Sequence, residues 1–93
     1  MRETPLEQRL VREVKKIGGL APKFVSPGTR GVNDRLVILP QGVTIYVEMK
    51  APGKPLEPLQ EWWKRKLLER GHMHYKIDSV EDIMRFINEV RVE

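Results

Sequence analysis

The sequence predicts a mixed α/β domain, in which helices flank a sheet that contains both antiparallel and parallel strands. Three observations support this prediction. Helical and extended segments follow one another in the order α-β-β-β-α-β-α. A helix separates the third strand from the fourth, which gives this pair the crossover connection that parallel strands require. The helices carry their apolar residues on one face, which must be buried against another layer.

The first helix begins at a strong capping signal. Thr4 is the predicted N-cap, Pro5 occupies the first helical position, and Glu7 closes a capping box. Gly18-Gly19 ends the helix, because glycine enters the left-handed conformation without a Cβ clash. The predicted apolar stripe consists of Leu6, Leu10, Val14 and Ile17.

Three extended segments follow this helix. Residues 23–25 form a short strand candidate, and a loop with two glycines and a proline comes after them. Residues 36–39 are a continuous apolar run, typical of a strand that is covered on both faces. After the turn Pro40-Gln41-Gly42, residues 43–50 return as the second strand of a hairpin.

The last part of the chain supplies a helix, a strand and a helix. The helix opens near Pro58, runs to about Arg70 and stops at Gly71. Residues 72–77 alternate between two faces and predict a strand. Ser79 is the predicted cap of the last helix. The predicted buried stripe of that helix is Val80, Ile83, Met84, Ile87 and Val90.

Length and composition exclude several classes of protein. Ninety-three residues fit one domain, which we expect to span residues 1–93. The absence of cysteine excludes disulfides, zinc–cysteine sites and thiol catalysis. No apolar run approaches the roughly 20 residues of a membrane span, and the N-terminus lacks the apolar region of a signal peptide. We therefore expect a cytoplasmic protein with no membrane partner.

The positive charge lies toward the front and middle of the chain. The net charge is +4, with +2 in residues 1–19, +3 in residues 20–56, +1 in residues 57–71 and −2 in residues 72–93. A polyanion such as DNA would be drawn to the first two-thirds of the chain. Ordinary scatter of surface charge explains the same pattern equally well.

Glu48 and Lys50 are out of place in an otherwise apolar strand. They project from the same face near its end, and pairing in the hairpin brings Asp34 toward them. Burying a carboxylate and an ammonium is costly unless they pair with each other or meet a metal. A plain surface ion pair is the alternative explanation for Glu48 and Lys50.

The pattern of these residues along the chain resembles that of the PD-(D/E)XK nuclease superfamily, and within it that of the VRR-NUC family. The resemblance covers nearly the whole chain. It rests on a glutamate in the first helix, a G-x-x-D element, an E-x-K strand and a glutamine opening the next helix. Asn33 departs from the pattern, because the family commonly has proline before the aspartate. The matching residues are Glu7, Gly31-Val32-Asn33-Asp34, Glu48-Met49-Lys50-Ala51-Pro52 and Gln60.

The resemblance implies a restriction endonuclease-like αβββαβ core with a C-terminal helix, and a site for Mg²⁺ or Mn²⁺. Asp34, Glu48 and the main-chain carbonyl of Met49 are the expected metal ligands, and oxygen ligands suit such hard cations. Lys50 is expected to orient the attacking water and to stabilise developing charge. Gln60 would position Lys50 or a phosphate oxygen. Glu7 is explained by the capping box, by a place at the metal site, or by both.

Other polar residues are candidates for binding DNA. Arg30, Arg35 and Lys54 are expected to contact phosphates, and Ser26 could donate to one. Solvated loop charges are an equal alternative for the three cations. The histidines at 72 and 74 make a weak metal site without a third ligand.

One of the adjacent Trp62 and Trp63 is expected to pack inside, while the other fills a dimer interface or stacks on a base. The dimer interface is the preferred alternative, because a short domain gains stability by dimerising.

The resemblance implies a metal-dependent endonuclease of phage or bacterial type that cuts branched DNA, such as a four-way (Holliday) junction. Two symmetric cuts require two sites, so we expect a homodimer. Four alternatives stay open: a DNA-binding module of the same fold that does not cut, a flap nuclease, a linear-DNA nuclease, and a small structural or protein-interaction domain.

Overall fold

Three helices and three strands form the fold in the computed structural model, which describes residues 3–24 and 34–91. A short 3-10 turn, Pro40–Gly42, joins the first two strands. The predicted fold class, a mixed sheet flanked by helices, is confirmed. The elements are α1 (Pro5–Lys16), β1 (Arg35–Leu39), β2 (Val43–Met49), α2 (Pro58–Glu69), β3 (Met73–Ile77) and α3 (Val80–Val90).

The strands lie in the order β1-β2-β3. β1 and β2 form an antiparallel hairpin in which Arg35 faces Val47. β2 and β3 are parallel, as predicted, with Ile45 beside Met73 and α2 as the crossover. The hairpin turn uses positive φ angles at Gln41 (68°) and Gly42 (77°). The free end of β2 therefore lies next to the start of β1 and the end of β3.

The first predicted strand, residues 23–25, is not formed in the part of the chain that the structure describes. Leu20 and Lys23 each make an isolated bridge to β1, and Val25 lies outside the described residues. Pro22 interrupts the ladder because it has no N–H to donate. The segment still runs along β1, since the Phe24 N–H donates to the Asp34 carbonyl at 2.9 Å.

The core lies on the face of the sheet that α1 and α3 cover. Side chains from these helices meet those of the three strands in one cluster. Its largest fully buried members are Phe86, Leu10, Ile45, Ile77, Ile83, Val14, Val37 and Val47. By contrast, no residue of α2 on the opposite face is buried. No described helix has the length and apolar content to cross a bilayer.

Two predictions about burial are wrong. β1 is not covered on both faces, because Ile38 points away from α1 and α3 and stays exposed. In α3, Val80 and Met84 are exposed, whereas Phe86 is buried. The buried side of α3 follows the spacing of Ile83, Phe86 and Ile87, which leaves Met84 at its flank.

The predicted helix caps are confirmed. Thr4 and Glu7 form the complete capping box of α1, and the Ser79 hydroxyl accepts a hydrogen bond from the Asp82 N–H at 3.0 Å. α2 has a capping box of its own between Glu57 and Gln60. Caps of this kind each stabilise a helix by about 1 kcal/mol. The Thr4 cap also sets the direction of the Glu7 side chain, which matters for the site.

Candidate active site

A cleft of about 840 Å³ opens where the N-terminal end of α1 meets the end of β2. Four charged side chains line it. Two are acidic, Glu7 and Asp34, and two are basic, Lys23 and Lys50. The remaining lining residues are Thr4, Pro5, Leu6, Phe24, Met49, Ala51 and Pro52. The cleft thus gathers Glu7, Asp34, Met49 and Lys50 from the residues that the sequence singled out.

Asp34 is held at the start of β1 by the backbone of β2. Its Oδ1 accepts a hydrogen bond from the Met49 N–H at 3.1 Å. Burial raises the pKa of Asp34 above its usual value, and the charge of Glu7 raises it further. The Met49 N–H and the Arg35 guanidinium only partly oppose this increase in pKa. A bound cation would relieve the unfavourable burial and repulsion of this carboxylate.

Glu7 belongs both to the helix cap and to the cleft. Its Oε2 accepts from the Thr4 N–H at 2.9 Å. Burial alone would raise the pKa of Glu7, but the hydrogen bonds with Thr4 and the charges of Arg35 and Lys23 outweigh it. The pKa of Glu7 therefore lies below its usual value, and the side chain stays ionised. The capping box does not remove Glu7 from the cleft, so the two explanations of this residue are compatible.

Arg35 is buried and does not lie in an exposed loop, so the prediction that it contacts a phosphate is wrong. Only 3% of its surface is exposed. Its guanidinium donates to the Ala21 carbonyl at 2.6 Å and to Glu3 at 2.7 Å, and it lies 3.5 Å from Glu7. Arg35 therefore ties the start of β1 to the N-terminal end of α1 and to the segment after α1.

Glu48 lies outside the residues that line the cleft. It is 4% exposed, and its Oε1 accepts a hydrogen bond from the Gln60 Nε2 at 2.5 Å. The Gln60 Oε1 in turn accepts from the Glu57 N–H at 2.8 Å. Gln60 was expected to position Lys50 or a phosphate oxygen. In the structure its amide nitrogen instead binds Glu48, and its amide oxygen binds the backbone of the helix cap.

The donor set of the cleft suits a hard divalent cation. Among residues 3–24 and 34–91, no three acidic or histidine side chains converge on one metal position. Mg²⁺ does not require three, because it is commonly held by one or two carboxylates together with water and phosphate oxygens. Glu7 and Asp34 are two such carboxylates in one cleft. The residues present therefore fit Mg²⁺ or Mn²⁺.

The other candidates fall in different places. Arg30 and Ser26 lie outside the described residues. Lys54 is exposed in the turn after Lys50, where its N–H donates to the Ala51 carbonyl at 3.0 Å. A phosphate contact by Lys54 stays a prediction.

The two tryptophans differ in exposure, but neither is fully buried, so the prediction that one packs inside is met only in part. Trp62 is 41% exposed, while Trp63 is partly buried and meets the Trp62 ring edge-on at 5.1 Å. Trp62 is thus the indole available for an interface or for a base. His74 lies opposite Tyr46 in the parallel register, away from the cleft, so the histidines do not add to its donor set.

Sequence reasoning did not assign Lys23 or Phe24 to the site. Both precede the loop that leads to Asp34, and a basic residue next to an aromatic one was the available signal. The backbone pairing between Phe24 and Asp34 places them in the cleft. That pairing joins residues ten positions apart, so local pattern alone does not reveal it.

The chain is similar in sequence and in fold to known proteins. The chain is 53% identical over 79 residues to "Putative nuclease p44" of Acyrthosiphon pisum secondary endosymbiont phage 1, with 85% of each protein covered. A solved structure described as a VRR_NUC domain has a TM-score of 0.86 and 27% identity, with 91% of this chain and 92% of that chain covered. No protein-family model matches the sequence.

Proposed function

This chain belongs to the VRR-NUC family of nucleases, and on that premise we propose that it is a metal-dependent endonuclease that cuts branched DNA. The family supports a deoxyribonuclease of the PD-(D/E)XK superfamily. The observation that carries the chemistry is the cleft in which Glu7, Asp34 and Lys50 meet. Two carboxylates can hold a divalent metal, and an ammonium can stabilise the negative charge that develops in phosphodiester hydrolysis.

Asp34 and Glu7 are proposed to hold Mg²⁺ or Mn²⁺ in the cleft, with the Met49 carbonyl as a further ligand. The bound cation would supply activation of water and neutralisation of phosphate charge. Without it, the two carboxylates would repel a phosphodiester. We assign Glu48 to the metal as well, on the family pattern. Gln60 would then orient Glu48 through their hydrogen bond.

Lys50 is proposed to orient the attacking water and to stabilise the negative charge of the transition state. Its backbone is fixed, because the Lys50 N–H donates to the Ile77 carbonyl at 2.9 Å. That bond continues the parallel pairing of β2 with β3 by one residue, so the ammonium projects from a rigid strand end. Lys23 adds a second positive charge to the same cleft and is proposed to attract a phosphate.

Branched DNA and a homodimer form the finer part of the proposal. A four-way junction has two equivalent strands to cut, which matches a two-fold dimer with two clefts. The exposed Leu59 and Trp62 on the outer side of α2 are the proposed dimer contact. Sedimentation velocity tests this contact: the protein should sediment as a dimer, and Trp62→Ala should shift it toward monomer. An unchanged dimer in this variant would exclude Trp62 from the interface.

We also propose that residues 1–93 act as a single nuclease domain in the cytoplasm of a bacterial or phage-infected cell. One hydrophobic cluster joins α1, α3 and the three strands of the described residues, which supports one domain. The origin of the nuclease relative in a phage supports the host cell as the location. Both the substrate and the cations would be available there.

A panel of substrates tests the proposed function. Labelled linear, flap and four-way DNA are incubated with the protein in Mg²⁺, in Mn²⁺ and in a chelator. We expect cleavage only with a divalent cation and fastest on the four-way junction. Faster cutting of the flap or the linear duplex would replace the junction assignment with the corresponding alternative. Absence of product in either metal at high protein concentration would support a DNA-binding module that does not cut.

Calorimetry with Mn²⁺ tests the ligands separately from catalysis. Asp34→Asn and Glu48→Gln should each weaken Mn²⁺ binding, because each removes a negative charge from the proposed site. Asp82→Asn, which lies at the cap of α3, is the matched control. Unchanged affinity in Glu48→Gln would remove Glu48 from the ligand set and leave the cleft carboxylates as the metal site.

A further inference from the structure

The wall of the cleft is more apolar than a site for a phosphate and a metal requires. Six of the eleven lining residues are apolar. Phosphate and metal binding account for the charged residues but give no role to an aromatic ring and two prolines. The apolar members are Pro5, Leu6, Phe24, Met49, Ala51 and Pro52.

Phe24 has a fixed place in this wall. Its N–H donates to the Asp34 carbonyl at 2.9 Å, and the Pro22 carbonyl accepts from the Leu36 N–H at 3.1 Å. The preceding Lys23 forms a β-bridge with Arg35. The backbone of residues 22–24 is thus tied to β1, and the Phe24 ring lines the same cleft as the Asp34 carboxylate.

A nucleotide, like the cleft, combines a charged part with a flat apolar part. Its phosphate is anionic and suits the metal ligands and the cations Lys23 and Lys50, while its base is a flat ring that stacks on aromatic side chains. A volume of about 840 Å³ lies within the range of sites that enclose a small molecule. A base pair inside duplex DNA cannot enter such a cleft, because its faces are covered by its neighbours.

We propose that the apolar wall of this cleft binds the base of an unpaired nucleotide, stacked on Phe24, whose phosphate lies at Asp34 and Lys50. This inference rests on the proposed nuclease function and deepens it. Branch points and flaps contain unpaired or easily unpaired nucleotides, and linear duplex does not. The base site therefore gives a physical reason for the selection of branched DNA over linear duplex, without any reading of sequence.

Two changes, one in the DNA base and one in Phe24, are combined to test the base site through the affinity for DNA. The DNA carries a single unpaired nucleotide at its branch point, and a second version has an abasic residue at the same position. Dissociation constants are measured by fluorescence anisotropy in Ca²⁺, after cleavage has been shown to be absent. We expect wild type to bind the intact DNA about tenfold more tightly than the abasic DNA, and Phe24→Ala to bind both equally.

Two further variants separate the ring from other effects. Phe24→Leu keeps an apolar side chain and should show a preference between those of wild type and Phe24→Ala, which also covers the case in which the alanine variant does not fold. Met84→Ala removes an exposed apolar side chain of α3 outside the cleft and should keep the tenfold ratio. A ratio that Phe24→Ala and Phe24→Leu leave unchanged would overturn the proposal. So would equal binding of intact and abasic DNA by wild type.

These outcomes are distinct from a failure of the nuclease proposal. A protein that shows the Phe24-dependent preference but never cuts DNA would retain the base site and lose the catalytic assignment. A protein that cuts DNA with no such preference would retain the catalytic assignment and lose the base site.

Discussion

The two faces of the sheet differ sharply in how they are covered. On one face, α1 and α3 bury side chains such as Leu10 and Phe86 almost completely. On the other face, α2 has no buried residue and exposes Leu59, Trp62 and Leu68. The free energy of folding therefore comes mainly from the first face, since apolar burial is its largest favourable contribution. The second face is left available for contacts with other molecules.

The difference follows from the sequences of the helices. The apolar residues of α3 recur at intervals that place Ile83, Phe86 and Ile87 on one side. α2 instead presents Gln60, Trp63 and Lys64 on its less exposed side, so polar groups share the contact with the sheet. The functional cleft lies at the end of β2, where its residues come from α1, β1 and the segments next to them.

The largest expected effect on stability is at Phe86. Phe86→Ala removes a fully buried ring that packs edge-on against Tyr75 at a centroid distance of 4.8 Å. We expect the free energy of unfolding to fall by about 3–5 kcal/mol, as for large-to-small changes in other cores. Trp62→Ala on the α2 face should cost less than about 1 kcal/mol in the monomer. Urea denaturation of both variants measures the contrast, and equal losses would break it.

The second effect in size is at Arg35, which joins α1 to the sheet beside the cleft. Arg35→Ala removes the guanidinium that donates to the Ala21 carbonyl and that pairs with the Glu7 Oε1. We expect a loss of roughly 2–3 kcal/mol in the free energy of unfolding. Arg85→Ala, which breaks an exposed pair with Asp82, should change it by less than about 1 kcal/mol. A loss at Arg35 no larger than at Arg85 would show that the buried network contributes little.

A smaller effect depends on pH and concerns the α2 face. Burial, together with the nearby charge of Lys64, lowers the pKa of His74 to about 4, against a smaller opposite effect of Glu61. The folded protein therefore keeps His74 neutral while the unfolded chain takes up a proton near pH 6.5. Stability from this residue is present above pH 6.5 and is lost as the pH falls toward 4.

Urea denaturation at pH 7.5 and pH 5 checks the His74 prediction. Wild type should lose stability between these two values, and His74→Gln should lose less, because it has no imidazole to protonate. His72→Gln, which replaces an exposed histidine directly before the same strand, is the matched control. An equal loss in wild type and in His74→Gln would contradict the assignment.

Much of the fold is predictable because its signals are local. The cap at Thr4 and the cap at Ser79 are read from three or four adjacent residues, and both are confirmed. The parallel pairing of β2 with β3 follows from the crossover through α2. The meeting of Asp34 with the end of β2 follows from the hairpin, and the Asp34–Met49 hydrogen bond agrees with it.

The rest depends on contacts between distant parts of the chain. Arg35 reads as an exposed cation because its partners, Glu3 and Glu7, lie about thirty residues earlier. Gln60 reads as a substrate contact because its bond to Glu48 crosses from a helix to a strand. Phe24 acquires a role only through backbone pairing at Asp34. In each case the side chain's surroundings are set by tertiary packing, which spacing along the sequence does not encode.

Single-turnover cleavage of a four-way junction in Mn²⁺ by wild type, Lys50→Ala and Lys16→Ala tests the central claim most directly. Lys16 is exposed at the far end of α1, where it pairs with Glu13 at 3.0 Å. Circular dichroism and binding of the junction first establish that all three proteins fold and bind DNA. We predict cleavage by wild type and by Lys16→Ala, and a fall of about 100-fold or more in Lys50→Ala, because Lys50 stabilises the transition state. Cleavage by Lys50→Ala at the wild-type rate would contradict the assignment of the cleft as the nuclease site.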